Sequence, residues 1–121
     1  MNSILIVEDH ESMRQIIRAL VTDLAEDVYE CSDGAQAVAA YATQQPEWVL
    51  MDIEMPILDG LTATRQIKQA FPAAHIVIVS NYGDERMRAA AVQAGASHFV
   101  LKENLLQLRG ILSAPNPEQT V

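Results

Sequence analysis

Four short apolar runs, each closing on a polar or charged residue, limit the folds open to this chain more than any other feature. Ile4-Leu5-Ile6-Val7 closes on Glu8-Asp9 and Trp48-Val49-Leu50-Met51 on Asp52. Ile76-Val77-Ile78-Val79 closes on Ser80 and His98-Phe99-Val100-Leu101 on Lys102. Runs of this length, rich in β-branched residues and without polar alternation, read as strands buried on both faces. Val28-Tyr29-Glu30-Cys31 reads as a further strand, followed by a turn at Ser32-Asp33-Gly34.

Helical spacing fills the segments between. Glu11 to Leu24 carries Met13, Ile16, Ile17, Leu20, Val21 and Leu24 at three- and four-residue intervals, the stripe of an amphipathic helix. Ala35 to Thr43 reads as a second helix, stopped by Pro46, and Gly60 to Phe71 as a third, followed by Pro72. Asp84 to Ala94 reads as a fourth, ended by Gly95. Asn104 to Leu112 reads as the last, and Ser113 to Val121, with two prolines, carries no pattern. Strand and helix alternate five times, which predicts one α/β domain, residues 1–112, with a parallel sheet covered on both faces. Residues 113–121 are expected to be a tail or the start of a linker.

In such sheets ligands bind beyond the carboxyl ends of the strands, where the strand order reverses. The topology therefore gathers Glu8, Asp9, Asp52, Ser80 and Lys102 at one edge. Three carboxylates at close range repel and raise at least one of their pKa values. A divalent cation with oxygen ligands, suited to Mg²⁺, would offset that repulsion, and so would the Lys102 ammonium. A nucleophilic carboxylate, a cation site, an ammonium and the Ser80 hydroxyl are the parts needed to accept a phosphoryl group. A single Asp after a strand is commonly a turn or cap residue. Asp59 reads as a helix cap and Asp33 as a turn residue on that ground.

Charge and composition exclude several other classes. The 121 residues carry a formal net charge of −8, with 8 Lys and Arg and no basic run, which argues against direct nucleic-acid binding. The lone Cys31 excludes an internal disulfide and reads as a small buried apolar group. No apolar run approaches the roughly 20 residues needed to span a bilayer, so a cytoplasmic protein is expected. His10, His75 and His98 do not sit at metal-ligand spacing, although His10 follows the acid pair and can touch the site. Trp48 reads as packing at the rim. No G-x-G-x-x-G or P-loop supports nucleotide binding.

Taken in order, "ILIVEDH", "MDIEMPILDG", "IVIVSNY" and "HFVLKEN" resemble the response regulator receiver family, the CheY-like domains of two-component signalling. The resemblance runs from Ile4 to about Leu112. It implies a flavodoxin-like (βα)5 fold with strand order 2-1-3-4-5 and a phosphoacceptor at Asp52. It further implies Mg²⁺ on Glu8, Asp9, Asp52 and the backbone carbonyl of Glu54. Ser80 and Phe99 match the switch pair, Lys102 matches the lysine that meets the phosphoryl group, and Pro56 and Gly60 match the following loop. Glu54 and Tyr82 match positions that flank the path of the hydrolytic water, where Tyr82 would shield the acyl phosphate. The implied donor is a histidine kinase or phosphotransfer protein, and the implied output is a changed surface on the fourth helix, fifth strand and fifth helix. A phosphorylation-dependent homodimer through that surface is one form the output can take. No enzyme activity beyond assisting its own phosphorylation and dephosphorylation is expected.

Two departures stand out. Glu103 follows Lys102 where many receivers have proline, and the switch aromatic Phe99 lacks a hydroxyl. The opening "VEDHESMRQIIRALV", with Glu103, resembles receivers that precede LuxR-type output domains. A phosphorelay shuttle and a receiver cut from a longer DNA-binding regulator remain open alternatives. A phosphatase with an aspartyl nucleophile fits less well, because Asp52 follows the third strand rather than the first. A receiver that works without phosphorylation would have lost a site residue, and none is missing.

Overall fold

The computed structural model describes residues 2–113. Five strands, β1 (Ser3–Val7), β2 (Asp27–Cys31), β3 (Trp48–Asp52), β4 (Ile76–Ser80) and β5 (His98–Leu101), alternate with helices α1 (Glu11–Val21), α2 (Gly34–Gln44), α3 (Gly60–Ala70), α4 (Glu85–Ala94) and α5 (Gln107–Leu112). All strand pairs are parallel and the order is β2-β1-β3-β4-β5, the flavodoxin-like arrangement expected. The chain moves outward from β1 to β2, then crosses back over β1 to build β3, β4 and β5. The crevice at that reversal lies between the carboxyl ends of β1 and β3.

The strand sequences explain the layering. β1, β3 and β4 are buried along their full length, and successive residues face opposite helical layers. Leu5, Val7, Val49, Met51, Ile76 and Ile78 pack with Ala37 and Tyr41 of α2, Ala63 and Ile67 of α3 and Ala91 of α4. Ile4, Ile6, Trp48, Leu50, Val77, Val79 and Val100 face Ile17 and Val21 of α1 and Leu108 and Leu112 of α5. Burying each Val, Leu, Ile or Met side chain among these stabilises the fold by about 1.5–3 kcal/mol. Trp48 lies inside this second layer, not at its rim, with 2% of its surface exposed and its ring near those of His75 and His98.

Helix ends follow local chemistry. Asp59 and Asp84 cap α3 and α4, accepting from the backbone N–H groups of Thr62 and Met87 at 2.9 and 2.8 Å. Asp33, expected as a turn residue, caps α2 by accepting from Gln36 N–H at 2.8 Å. α4 ends at Gly95 with φ 104°, a conformation glycine adopts without cost.

Two helices are shorter than their sequence pattern. α1 stops at Val21 and tightens into a 3₁₀ turn over Thr22–Leu24. The Arg109 guanidinium takes the Leu20 carbonyl at 2.8 Å and grips Asp23 at 2.8 and 3.0 Å. The carbonyl that Leu24 would bond in a continuing α-helix is thereby engaged elsewhere. The helix expected from Asn104 begins only at Gln107, after a 3₁₀ turn at Lys102–Asn104. Leu105 and Leu106 accept from Leu108 and Arg109 three residues on, and no side chain caps the start. Among the described residues no helix is long and apolar enough to cross a membrane. The tail expected at Ser113–Val121 lies, beyond Ser113, outside the described residues.

Candidate functional site

The acid-bearing strand ends do meet. Asp52 closes β3 with 5% of its surface exposed, and Glu8, just past β1, is fully buried. Lys102 enters from beyond β5 and places its Nζ 2.8 Å from Glu8 Oε1 and 3.1 Å from Asp52 Oδ1. One buried ammonium therefore serves two buried carboxylates. Asp52 Oδ1 also accepts from the Ile53 N–H at 2.9 Å.

The electrostatics follow from that imbalance. Burial and then the Glu8 charge push Asp52 up to about 7, and Lys102 offsets them only in part. Burial also pushes Glu8 up, but Lys102 and the His10 backbone N–H outweigh it and hold Glu8 below the usual carboxylate range. Burial would lower Lys102, and its two carboxylate partners outweigh that and raise it. The pair therefore shares its ammonium unequally. Glu8 stays ionised, and Asp52 is the carboxylate whose charge is poorly satisfied.

The loop after Asp52 is folded back under the site. Gly60 N–H donates to the Ile53 carbonyl at 2.8 Å, and Leu58 N–H donates to Pro56 at 2.7 Å across Ile57, which has φ 70°. That is a γ-turn with a β-branched residue in the left-handed region, a strained local conformation. Gly60 fits only because it has no side chain: a Cβ there would stand 1.8 Å from the Asp52 carbonyl oxygen.

The cleft above Asp52 is lined by His10, Glu54, Ser80, Asn81, Tyr82 and Lys102. Ser80 is buried at the end of β4, and its hydroxyl accepts from Tyr82 N–H at 3.1 Å. Glu54 is exposed at the mouth, and Tyr82 beside it is 58% exposed. Phe99 stands apart from the cleft, half-buried on β5, with the Arg88 guanidinium 4.7 Å from its ring centre. Arg88 Nε donates to the Gly83 carbonyl at 2.9 Å, so α4, the preceding loop and β5 are joined at that ring.

Asp9 holds one buried oxygen, Oδ1, without a hydrogen bond, whereas Glu8 Oε1 is taken up by the Lys102 ammonium. A buried acceptor atom left like Asp9 Oδ1 suits a hard cation. Three groups come within 4.8 Å of one another there: Glu8, Asp9 and His10. His10 was only weakly signalled, by its place after the acid pair. Arg14 was not signalled at all. Its guanidinium donates to the Glu8 carbonyl at 2.8 Å and is held by Glu30 at 2.9 Å. Asn81 also reaches the cleft, and its position after Ser80 was its only signal.

Comparison with known proteins places this geometry. Residues 4–112 match the model of the response regulator receiver domain. Over 100 residues the chain is 45% identical to the chemotaxis protein CheY of Bacillus subtilis, covering 82% of this chain and 83% of that one. It is 38% identical over 99 residues to the chemotaxis protein CheY of Halobacterium salinarum, covering 82% of each. Among solved structures, a LuxR-family two-component response regulator from Aurantimonas sp. SI85-9A1 superimposes with a TM-score of 0.81 at 29% identity, covering 97% of this chain and 92% of that one. The Borrelia burgdorferi CheX–CheY–BeF3–Mg²⁺ complex gives 0.78 at 25% identity, covering 88% and 84%.

Proposed function

This chain belongs to the response regulator receiver domain family, and from that premise we propose that Asp52 accepts a phosphoryl group from a histidine kinase or phosphotransfer protein. The observation that carries the proposal is the Glu8–Lys102–Asp52 triad, in which one buried ammonium meets two buried carboxylates at the sheet's switch point. An Asp52 oxygen attacks phosphorus, the bond from phosphorus to the donor imidazole nitrogen breaks, and the electron pair leaves with the imidazole. The product is an acyl phosphate on Asp52.

The residues here fit a divalent cation, Mg²⁺ in the family, which would be held by Glu8, Asp9 and Asp52 with the Glu54 carbonyl. When bound, that cation neutralises charge on the transferring oxygens. The chain's own groups do the rest. Lys102 stays protonated and supplies a fixed positive charge beside the incoming phosphoryl group. Ser80 releases its hydrogen bond from Tyr82 N–H and donates its hydroxyl to a phosphoryl oxygen. Phe99 turns inward as Ser80 moves, leaving Arg88. The α4–β5–α5 surface then presents a different shape to a partner, or to a second copy, as a two-state equilibrium biased by a covalent group. Tyr82 and Glu54 flank the cleft mouth and set the access of hydrolytic water, so Tyr82→Ala shortens the phosphoryl lifetime.

The test is direct. Incubation with Mg²⁺ and acetyl phosphate adds one phosphoryl mass to the wild-type protein and none to Asp52→Asn. Equal uptake by the variant overturns the assignment. In this reading the domain catalyses nothing but its own phosphorylation and dephosphorylation.

A further inference from the structure

The Arg14 side chain holds main chain that belongs to the site. Its Nη1 donates to the Glu8 carbonyl at 2.8 Å, one residue past the end of β1. On the other side of the same residue, Glu8 N–H donates to the Cys31 carbonyl at 3.1 Å. Both main-chain groups of Glu8 are therefore tied, one to β2 directly and one through Arg14. The guanidinium is itself anchored on β2: its Nε donates to Glu30 Oε1 at 2.9 Å. Glu30 precedes Cys31 on that edge strand and is paired with Ile6 of β1.

Local structure explains the reach. Arg14 N–H closes the first turn of α1 on the His10 carbonyl at 2.9 Å. Helical side chains lean toward the helix N-terminus, so the guanidinium passes back over that turn to Glu8. By charge alone a cation is misplaced there. It opposes the helix dipole and repels any cation drawn to the neighbouring carboxylates. Geometry accounts for it instead: the planar fork meets a carboxylate with one N–H and a carbonyl with another. Arg18, one turn on, is the contrast. It donates to the other oxygen of Glu30 and to the Val28 carbonyl, and both partners lie on β2. Arg18 fastens α1 to β2; Arg14 carries the same anchor on to Glu8.

We propose that Arg14 is a positioning residue of the acid pair: anchored by Glu30, it fixes the main chain that delivers Glu8 and Asp9 to the sheet edge where Asp52 stands. This rests on Glu8, Asp9 and Asp52 holding the cation, as in the proposed function. Lys102 links Glu8 to Asp52 at 2.8 and 3.1 Å, so a shift of the Glu8 backbone is felt at the phosphoacceptor. With the Glu8 carbonyl released, the turn from β1 into α1 loses one of its two ties and both carboxylates gain freedom. Cation binding must then restore their order, and it weakens accordingly.

The Mg²⁺ affinity of the unphosphorylated protein, measured by calorimetry, decides it, because charge and position predict opposite signs. Arg14→Met removes a positive charge, which by Coulomb attraction alone strengthens Mg²⁺ binding. Lost positioning instead weakens it by ~10-fold or more, the range for a missing outer partner of a metal ligand. Arg14→Lys keeps the charge without the fork; it is expected to weaken Mg²⁺ as well, and it carries the test if Arg14→Met is too unstable to titrate. Arg18→Met removes the same charge from the same anchor and leaves Mg²⁺ binding unweakened. Arg14 variants that bind Mg²⁺ as tightly as wild type, or an Arg18→Met protein that loses as much as they do, overturn the proposal. If Asp52 takes up a phosphoryl group meanwhile, the receiver reading stands and only the role of Arg14 falls. If the Arg14 variants weaken Mg²⁺ while wild-type Asp52 takes up no phosphoryl group, the receiver reading falls and the positioning of the acid pair stands. No Mg²⁺ binding by the wild type at millimolar ion overturns the proposal outright.

Discussion

Asp52 and Glu8 compete for one ammonium, and the competition has measurable consequences. Asp52 is pushed up to about 7 in the folded chain, against about 3.9 for an unfolded aspartate. Between those values the folded state holds a proton that the unfolded state has released. By linkage, the Asp52 contribution falls as pH rises from about 4 to about 7, by ~4 kcal/mol at most. In chelator, urea melts of wild type against Asp52→Asn should show that loss, with the variant more stable at pH 8 and the gap closing toward pH 4. A gap independent of pH contradicts the assignment of the poorly satisfied charge to Asp52. Lys102→Met removes the shared ammonium and leaves Glu8 buried and unpaired. It should cost about 3–5 kcal/mol, measured by the urea midpoint at pH 8, and less at pH 5, where Asp52 is protonated. An unchanged midpoint at pH 8 would show the carboxylates to be satisfied without the lysine.

Among the elements, the β3–α3 connection sets where the phosphoacceptor stands. Gly60 packs its α-carbon against the Asp52 carbonyl, and an added Cβ meets backbone that cannot rotate away. Gly60→Ala should cost more than ~3 kcal/mol, the range of severe strain and overpacking. Gly110 is the matched control: it is exposed on α5, and an added Cβ there meets nothing within 4 Å. Gly110→Ala should stabilise the protein by about 0.5–1 kcal/mol through lower backbone entropy in the unfolded chain. Thermal melts of the two variants check both signs. Equal effects would mean that close approach at Gly60 does not hold the loop.

At the scale of the whole molecule, the parallel order β2-β1-β3-β4-β5 brings together Glu8, Asp52 and Lys102, residues far apart in sequence. The strands were legible because ILIV, WVLM and IVIV are buried on both faces, and the functional residues because four of the five strands close on a polar or charged residue, the wrong kind for a core. What stayed hidden depends on contacts between distant segments. The Arg109 grip on Asp23 and Leu20 that ends α1 early spans the chain, and no local pattern announces it. Arg14 reads as an ordinary helix-surface residue until Glu30 on the edge strand turns it toward Glu8. His10 directly follows both acids in sequence, but its 3.3 Å contacts with Glu8 and Asp9 are set by the turn from β1 into α1.

The same assembly predicts that millimolar Mg²⁺ raises the melting temperature by relieving the repulsion at Asp52, an effect that Asp9→Asn removes. An unchanged melting temperature in the wild type counts against a cation site. The central claim, that Asp52 is the phosphoacceptor, is tested most directly by chemical trapping. After acetyl phosphate and Mg²⁺, borohydride reduction converts an aspartyl phosphate to homoserine, and peptide mass spectrometry locates it. Homoserine at position 52 alone is the predicted result; homoserine at position 9 or elsewhere, or none, would contradict it.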